Sequence, residues 1–201
     1  MGQGRKMAKP EPPRVLFVCT ANTGRSALAQ ALFQRQLQHS NLPAVVESAG
    51  HGTAGGESVS AVVAEAAERY GGDLSGHRSR KLTVELLSAA HLVVAMAGEH
   101  HEHIQHLLPE AADRTFLLRD LIHRVQRVGV RHPDQSLSAY LQSVAAGPSP
   151  PLAPHQRDVP DPYGQPLEVL WSTAAELDRL TAELAHHLFP LSVEEAPNTE
   201  A

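Results

Sequence analysis

The sequence has very little cysteine and few aromatic residues. Cys19 is the single cysteine among 201 residues, so an internal disulfide and a zinc site built from several cysteines are both excluded. Phe, Trp and Tyr make up 4% of the chain, and a core must therefore be filled mainly by Leu, Val and Ala. The hydrophobic content of 42% is ordinary for a chain that buries such a core.

Long apolar runs and a strong positive charge are also missing. No run approaches the roughly 20 residues that a membrane span needs, and the basic N-terminal segment reaches proline where a secretion signal has its apolar stretch. The net charge of -5 argues against a general nucleic-acid or membrane binder. These absences predict a cytoplasmic protein that binds neither nucleic acid nor a membrane. They leave its oligomeric state open.

Short apolar segments alternate with helical patterns along most of the chain. Four nearly all-apolar runs predict buried parallel strands; they are residues 14–19, 44–48, 91–96 and 115–118. Apolar residues at helical spacing predict helices between these strands and a long final helix from about Leu167. The alternation predicts an α/β fold in which a parallel sheet has helices on both faces.

The two ends and one internal segment depart from this alternation. Residues 1–13 are polar and rich in proline, and residues 191–201 have the composition of a loose tail, so we expect both to be disordered. Residues 14–190 are expected to form one domain. Within it, residues 125–157 begin with a helical pattern and continue as GPSPPLAPH, which predicts an irregular insertion.

A loop of small residues follows the first predicted strand and precedes a predicted helix. The loop reads Cys19-Thr20-Ala21-Asn22-Thr23-Gly24-Arg25-Ser26. A cysteine at the carboxyl end of a strand lies where α/β proteins bind ligands, and the backbone N–H groups of the loop and helix start can surround one anion. The same environment stabilises a thiolate. Arg25 offers a planar fork for two phosphate oxygens, and Ser26 offers a hydroxyl to the sulfur.

The loop predicts a phosphate-binding site with Cys19 as the nucleophile. A cysteine taken alone is more often a buried thiol that only packs. Here the strand, the small-residue loop, Arg25 and the helix occur together, and the combination favours nucleophilic catalysis.

This segment resembles the opening of the low-molecular-weight protein tyrosine phosphatases. VLFVCTANTGRS is similar to that family's first strand and phosphate loop, and four later segments follow in the family's order: SAG (48–50), DLSGHRSRKLT (73–83), LVVAM (92–96) and VPDPYG (159–164). The resemblance implies a four-stranded parallel sheet with helices on both faces and the phosphate loop after the first strand. It also implies hydrolysis of phosphorylated protein substrates through a phosphocysteine intermediate, with no cofactor.

The resemblance further implies a general acid and residues that support the loop. The family places an aspartate before a proline and an aromatic residue, here Asp161-Pro162-Tyr163, where it protonates the leaving oxygen and then activates water. A simple turn is the alternative explanation of this segment, and Asp158 is a nearby competitor without the Pro-aromatic pair. The positions expected to hydrogen-bond beneath the loop are Asn22, Ser48 and His77.

Three positions bear on redox behaviour and substrate. Many family members have a second cysteine where this chain has Gly24, so no neighbour can form a disulfide with an oxidised Cys19. Tyr163 is the one evident ring to flank a substrate. At the position of Thr23, tyrosine-specific members tend to have a branched aliphatic residue, whereas a bacterial branch that acts on phosphoarginine has Thr. Phosphotyrosine and phosphoarginine therefore both stay open.

The sequence is also compatible with two other functions, and one segment contains several histidines. A single-cysteine arsenate reductase on the same fold would use an external thiol, but the Asp161 loop and the helix after it favour the phosphatase. A non-catalytic phosphate-binding regulatory module is disfavoured because Cys19, Arg25, Ser26 and Asp161 occur together. The run EHHEHIQH (99–106) contains histidines at helical spacing, but a solvated polar surface is expected and no metal site is predicted.

Overall fold

The sheet consists of four parallel strands. A computed structural model describes residues 11–39, 44–148 and 152–190. The strands are β1 (Arg14–Cys19), β2 (Val45–Gly50), β3 (Leu92–Ala95) and β4 (Thr115–Leu117). They lie in the order β2-β1-β3-β4, and each neighbouring pair is parallel. The predicted α/β fold with a four-stranded parallel sheet is confirmed.

Helices cover both faces of this sheet. They are α1 (Arg25–His39), α2 (Ala61–Glu68), α3 (Val84–Ala89), α4 (Gly98–Leu107), α5 (Leu118–Val128), α6 (Leu137–Ala146), α7 (Pro154–Arg157) and α8 (Leu167–Leu188), with a 3-10 helix at Pro109–Arg114. One face of the sheet packs against α1, α5 and α8, and the other packs against α3, α4 and the 3-10 helix.

Strand β1 alternates between the two hydrophobic cores. Val15, Phe17 and Cys19 belong to the core on the α1 and α8 side, while Leu16 and Val18 belong to the core on the α4 side. A strand buried on both faces has no polar face, which explains why its sequence is almost uniformly apolar. The alternation also places the Cys19 side chain on the face from which α1 begins.

Gly50, the last residue of β2, allows the loop after β1 to lie close to the sheet. A Cβ atom at Gly50 would lie 2.4 Å from the carbonyl oxygen of Thr20 and 2.9 Å from the backbone nitrogen of Asn22. Both are backbone atoms, so a side chain at position 50 fits only if the whole loop moves away. The chain after β2 continues the contact, because the Gly52 N–H donates to the Thr20 carbonyl at 2.9 Å.

Part of the segment 125–157, which the sequence predicts to be an irregular insertion, is helical. Helix α6 buries the apolar residues Leu137, Tyr140, Leu141 and Val144, and the Tyr140 hydroxyl donates to the Gly129 carbonyl at 2.6 Å. These four residues recur at the spacing of one helix face. Helix α6 ends at Ala146, before GPSPPLAPH begins, so it lies in the part of the segment that begins with a helical pattern.

The predicted tails lie mostly outside the described residues. Residues 1–10 and 191–201 are not among them. The Pro13 carbonyl accepts from the Val45 N–H at 2.8 Å, so ordered pairing with β2 begins one residue before β1. Within the described ranges, none of the helices combines the length and the hydropathy that a membrane span requires.

Candidate active site

The sulfur of Cys19 lies between two hydrogen-bonding groups of the loop that joins β1 to α1. Its Sγ atom is 2.9 Å from Ser26 Oγ and 3.3 Å from the backbone N–H of Asn22. Ser26 Oγ also accepts from the side-chain amide of Asn22 at 3.0 Å, so the Ser26 hydroxyl proton is free to point at the sulfur. Both groups then donate towards Sγ, an arrangement that stabilises a thiolate.

Asn22 is the one non-glycine residue of the described chain with a left-handed backbone, at a φ of 58°. This conformation is uncommon for residues other than glycine, although Asn tolerates it better than most. Three groups hold Asn22 in place: its amide donates to Ser48 Oγ at 2.8 Å, its Oδ1 accepts from the Arg80 N–H at 2.8 Å, and its carbonyl accepts from His77 Nε2 at 2.7 Å. The structure thus brings Asn22, Ser48 and His77 together beneath the loop.

Two residues that the sequence analysis missed complete this support. The Ser48 hydroxyl, which accepts from Asn22, donates onward to Gln30 Oε1 at 2.5 Å. Arg80 donates to the Ser48 carbonyl from Nη2 at 3.1 Å and to Glu47 from Nη1 at 3.1 Å. Arg80 lies in the segment DLSGHRSRKLT already singled out, whereas nothing local marks Gln30.

Arg25 and Asp161 form an ion pair above the loop. Nη2 of the buried Arg25 lies 2.6 Å from Asp161 Oδ2, and Nη1 donates to the Val159 carbonyl at 3.3 Å. The Asp161 side chain is 51% exposed, so the carboxylate can leave the guanidinium when another anion takes its place. The structure therefore brings the predicted cation and the predicted acid into direct contact beside the loop.

The competing aspartate, Asp158, is engaged elsewhere. Its Oδ1 accepts from the backbone N–H of Gly98 at 2.8 Å, at the start of α4, where a carboxylate stabilises a helix N-terminus. Asp161 instead accepts from the Tyr163 N–H at 3.1 Å, a turn that presents the carboxylate to the loop. Geometry favours Asp161 as the acid.

A cavity of about 650 Å³ opens above Cys19. Its lining comes from the phosphate loop, from residues 57–63 and from the segment after Asp161: Cys19, Thr20, Ala21, Thr23, Gly24, Arg25, Glu57, Ser58, Ser60, Val62, Val63, Asp161, Pro162, Tyr163, Gly164, Gln165, Leu167 and Leu170. Tyr163 is 92% exposed, so its ring is free to contact a bound molecule. Thr23 lines the same cavity.

The polar residues of the run 99–106 are exposed or half-buried, as expected, except His100, which lies next to the loop. His100 is fully buried, and its Nε2 is 3.0 Å from Thr20 Oγ1. Burial and the charge of Arg25 lower the pKa of His100 to about 3. The ring of His51 stands 5.4 Å from that of His100 and 4.7 Å from that of His103, and burial lowers its pKa too. Both His51 and His100 are therefore neutral at pH 7.

Oxidation of Cys19 is expected to be irreversible without an external thiol. The chain has no second cysteine, so a sulfenic acid at Cys19 has no internal partner and is either capped by an added thiol or oxidised further. Intact mass spectrometry after mild peroxide should show sulfinic acid, or a mixed disulfide when glutathione is present. Full return of activity on storage without thiol would contradict this expectation.

Comparison with known proteins identifies the family. A family model described as low molecular weight phosphotyrosine protein phosphatase matches residues 14–146. A protein-arginine-phosphatase of Geobacillus stearothermophilus is 33% identical over 178 residues, or 88% of this chain and 97% of that protein. The low molecular weight protein-tyrosine-phosphatase Etp of Escherichia coli (strain K12) is 27% identical over 90% of this chain and 99% of its own.

Solved structures agree with this result. A YwlE arginine phosphatase, a mutant with a phosphorylated active-site serine, has a TM-score of 0.67 at 27% identity and covers 87% of this chain and 95% of its own. The fold, the phosphate loop and the sequence similarity all indicate the same family. The chain belongs to the low molecular weight phosphotyrosine protein phosphatase family.

Proposed function

We propose that this protein hydrolyses phosphorylated protein side chains in the cytoplasm, through a phosphocysteine intermediate on Cys19. One observation carries the proposal: Sγ of Cys19 accepts hydrogen bonds at the floor of a cavity where the Arg25 guanidinium and the Asp161 carboxyl meet. Nucleophile, anion-binding cation and acid thus line one cavity, as displacement at phosphorus requires.

In the first step the phosphoryl oxygens are bound by the loop N–H groups of Thr20, Ala21, Asn22, Thr23 and Gly24 and by the guanidinium of Arg25. The Cys19 thiolate attacks phosphorus, the bond from phosphorus to the leaving atom breaks, and a protonated Asp161 gives its proton to that atom. The Ser26 hydroxyl, 2.9 Å from Sγ, stabilises the thiolate by a hydrogen bond before it attacks phosphorus and again after the bond from sulfur to phosphorus breaks.

In the second step water attacks the phosphocysteine. The ionised Asp161 accepts a proton from the water, the bond from sulfur to phosphorus breaks, and inorganic phosphate leaves with Cys19 again a thiolate. The same carboxyl therefore serves as acid and then as base. Its exposed position, which lets it release Arg25, suits both tasks.

The preferred substrate is proposed to be phosphoarginine. Thr23 lies in the substrate cavity, and its hydroxyl offers a hydrogen-bond partner to the polar guanidinium next to phosphorus. The similarity to a protein-arginine-phosphatase supports the same choice. Phosphotyrosine is the second candidate, favoured by the exposed Tyr163 ring and the apolar Val62 and Leu167 at the cavity, which would pack against a phenyl group.

The test compares two substrates and two variants at one position. Thr23→Ile removes the hydroxyl and should lower kcat/KM for a phosphoarginine peptide by about tenfold, the size of one lost hydrogen bond to a charged group, while hydrolysis of an aryl phosphate holds or rises. The matched control Thr23→Ser keeps the hydroxyl and should retain activity on phosphoarginine.

Three outcomes decide between the candidates. A parallel change on both substrates would show that Thr23 does not set specificity, and phosphotyrosine would then be preferred. Reduction of arsenate with an added thiol, assayed on the same preparation, would favour a reductase if it exceeded both hydrolytic rates. Absence of all three activities, with phosphate still bound, would identify a non-catalytic phosphate-binding module.

A further inference from the structure

Four polar side chains lie close together beside the phosphate loop. His51 comes from the segment after β2, and Glu99, His100 and His103 come from α4. His51, Glu99 and His100 each offer one ligand atom, and these three atoms lie within 4.8 Å of one another. Glu99 Oε1 is 3.2 Å from His100 Nε2, and the His103 ring lies against the His51 ring.

The imidazole nitrogens of this group are not fully satisfied. His51 Nε2 and His100 Nδ1 are both buried and have no hydrogen-bond partner within the described residues. A buried polar atom without a hydrogen-bond partner lowers the stability of the fold. If the two histidines only filled space, apolar residues in their place would give a more stable protein. The His100 nitrogen beside the Glu99 carboxylate is Nε2, which also contacts Thr20 Oγ1 at 3.0 Å, so the unpaired Nε2 of His51 is the atom that indicates a partner able to accept an electron pair.

We propose that His51, Glu99 and His100 bind a divalent transition-metal cation, with Zn²⁺ as the best match. Two imidazoles and one carboxylate are a ligand set that Zn²⁺ favours, and a fourth position is open to water or to His103. Tetrahedral bonds of about 2.1 Å place ligand atoms about 3.4 Å apart. Glu99 Oε1 and His100 Nε2 are already at 3.2 Å, and the ligand atoms that are up to 4.8 Å apart must approach each other by up to about 1.4 Å.

The charge around the group permits a cation. The positive charge of Arg25 acts on His51 and His100, but it is paired with Asp161 at 2.6 Å. Glu99 supplies the compensating negative charge at the site itself.

The experiment uses the full chain with Cys19→Ser, because the thiolate would itself bind zinc. Isothermal titration with Zn²⁺ and visible absorption on addition of Co²⁺ should report a single ion per chain in a four-coordinate site. Introducing Glu99→Gln or His51→Ala into this background should weaken binding by about tenfold or more, the usual size of a ligand-shell effect. Neither change removes a fully buried side chain.

The matched control is His106→Ala. His106 is on the same helix, but its Nδ1 bonds to the Glu102 carbonyl at 2.8 Å, outside the proposed ligand set, and its loss should leave the affinity unchanged. Absence of binding, or equal weakening in the His106→Ala control, would overturn the proposal. So would affinity that survives both Glu99→Gln and His51→Ala. The result does not depend on the proposed hydrolysis, since the titrated protein carries no thiol.

Discussion

Replacing Cys19 by serine should abolish turnover while phosphate or vanadate still binds with an affinity near that of the wild type. The anion is held by loop N–H groups and by Arg25, none of which is removed. The hydroxyl of serine is a far weaker nucleophile than a thiolate because it stays protonated near neutral pH. Steady-state hydrolysis of an aryl phosphate, together with titration of vanadate by tryptophan fluorescence or calorimetry, measures the two properties separately.

The control for this experiment is Arg25→Lys, which keeps the charge but loses the planar fork. It should weaken oxyanion binding, in contrast to the serine variant. A trapped phosphoserine at position 19 would be compatible with the mechanism, since the solved YwlE mutant carries a phosphorylated active-site serine. Hydrolysis by Cys19→Ser at a rate near the wild type would remove Cys19 from the mechanism.

Replacing Asp161 by asparagine should lower the rate by about 10²–10⁴ for substrates with poor leaving groups, the range of a general-acid effect. For p-nitrophenyl phosphate, whose leaving group needs little protonation, the loss should be much smaller. Because the neutral amide of the Asp161→Asn variant forms no ion pair with Arg25, oxyanion binding should hold or tighten. The measurement is kcat against the pKa of the leaving phenol for both proteins.

Asp158→Asn is the matched control for the acid. Asp158 accepts from the Gly98 N–H at the start of α4, so its loss should reduce stability slightly and leave the leaving-group dependence unchanged. If Asp158→Asn makes kcat depend more steeply on the pKa of the leaving phenol and Asp161→Asn does not, then Asp158 is the general acid and Asp161 is not.

Local patterns in the sequence predicted most of the fold and the centre of the site. The strands are buried on both faces, so uniform apolar runs marked them. Cys19, Arg25 and Ser26 are close in sequence because one strand, loop and helix start build the anion site. The bounds of helix α6 were not predicted, because the segment 125–157 was described only as a helical start that continues into an irregular stretch.

The parts that sequence reasoning missed depend on contacts between distant segments. Gln30 is linked to the loop through Ser48. Arg80 bonds directly to Asn22 of the loop, because the segment 73–83 packs beside β2. His100 sits in a run of charged and polar residues typical of a solvated helix. It is buried because α4 packs on the sheet at the point where the loop lies, and no local pattern reveals that position.

The left-handed Asn22 ties catalysis to a segment remote in sequence. Its partners Ser48, His77 and Arg80 are 26, 55 and 58 residues further along the chain. The strained loop is therefore held by the docking of residues 73–83, whereas β1 and α1 are held by the two cores. Local opening of that one segment would remove the His77 and Arg80 bonds to Asn22 while the sheet stays folded. Activity is therefore expected to be more sensitive to the docking of residues 73–83 than the folding of the sheet is.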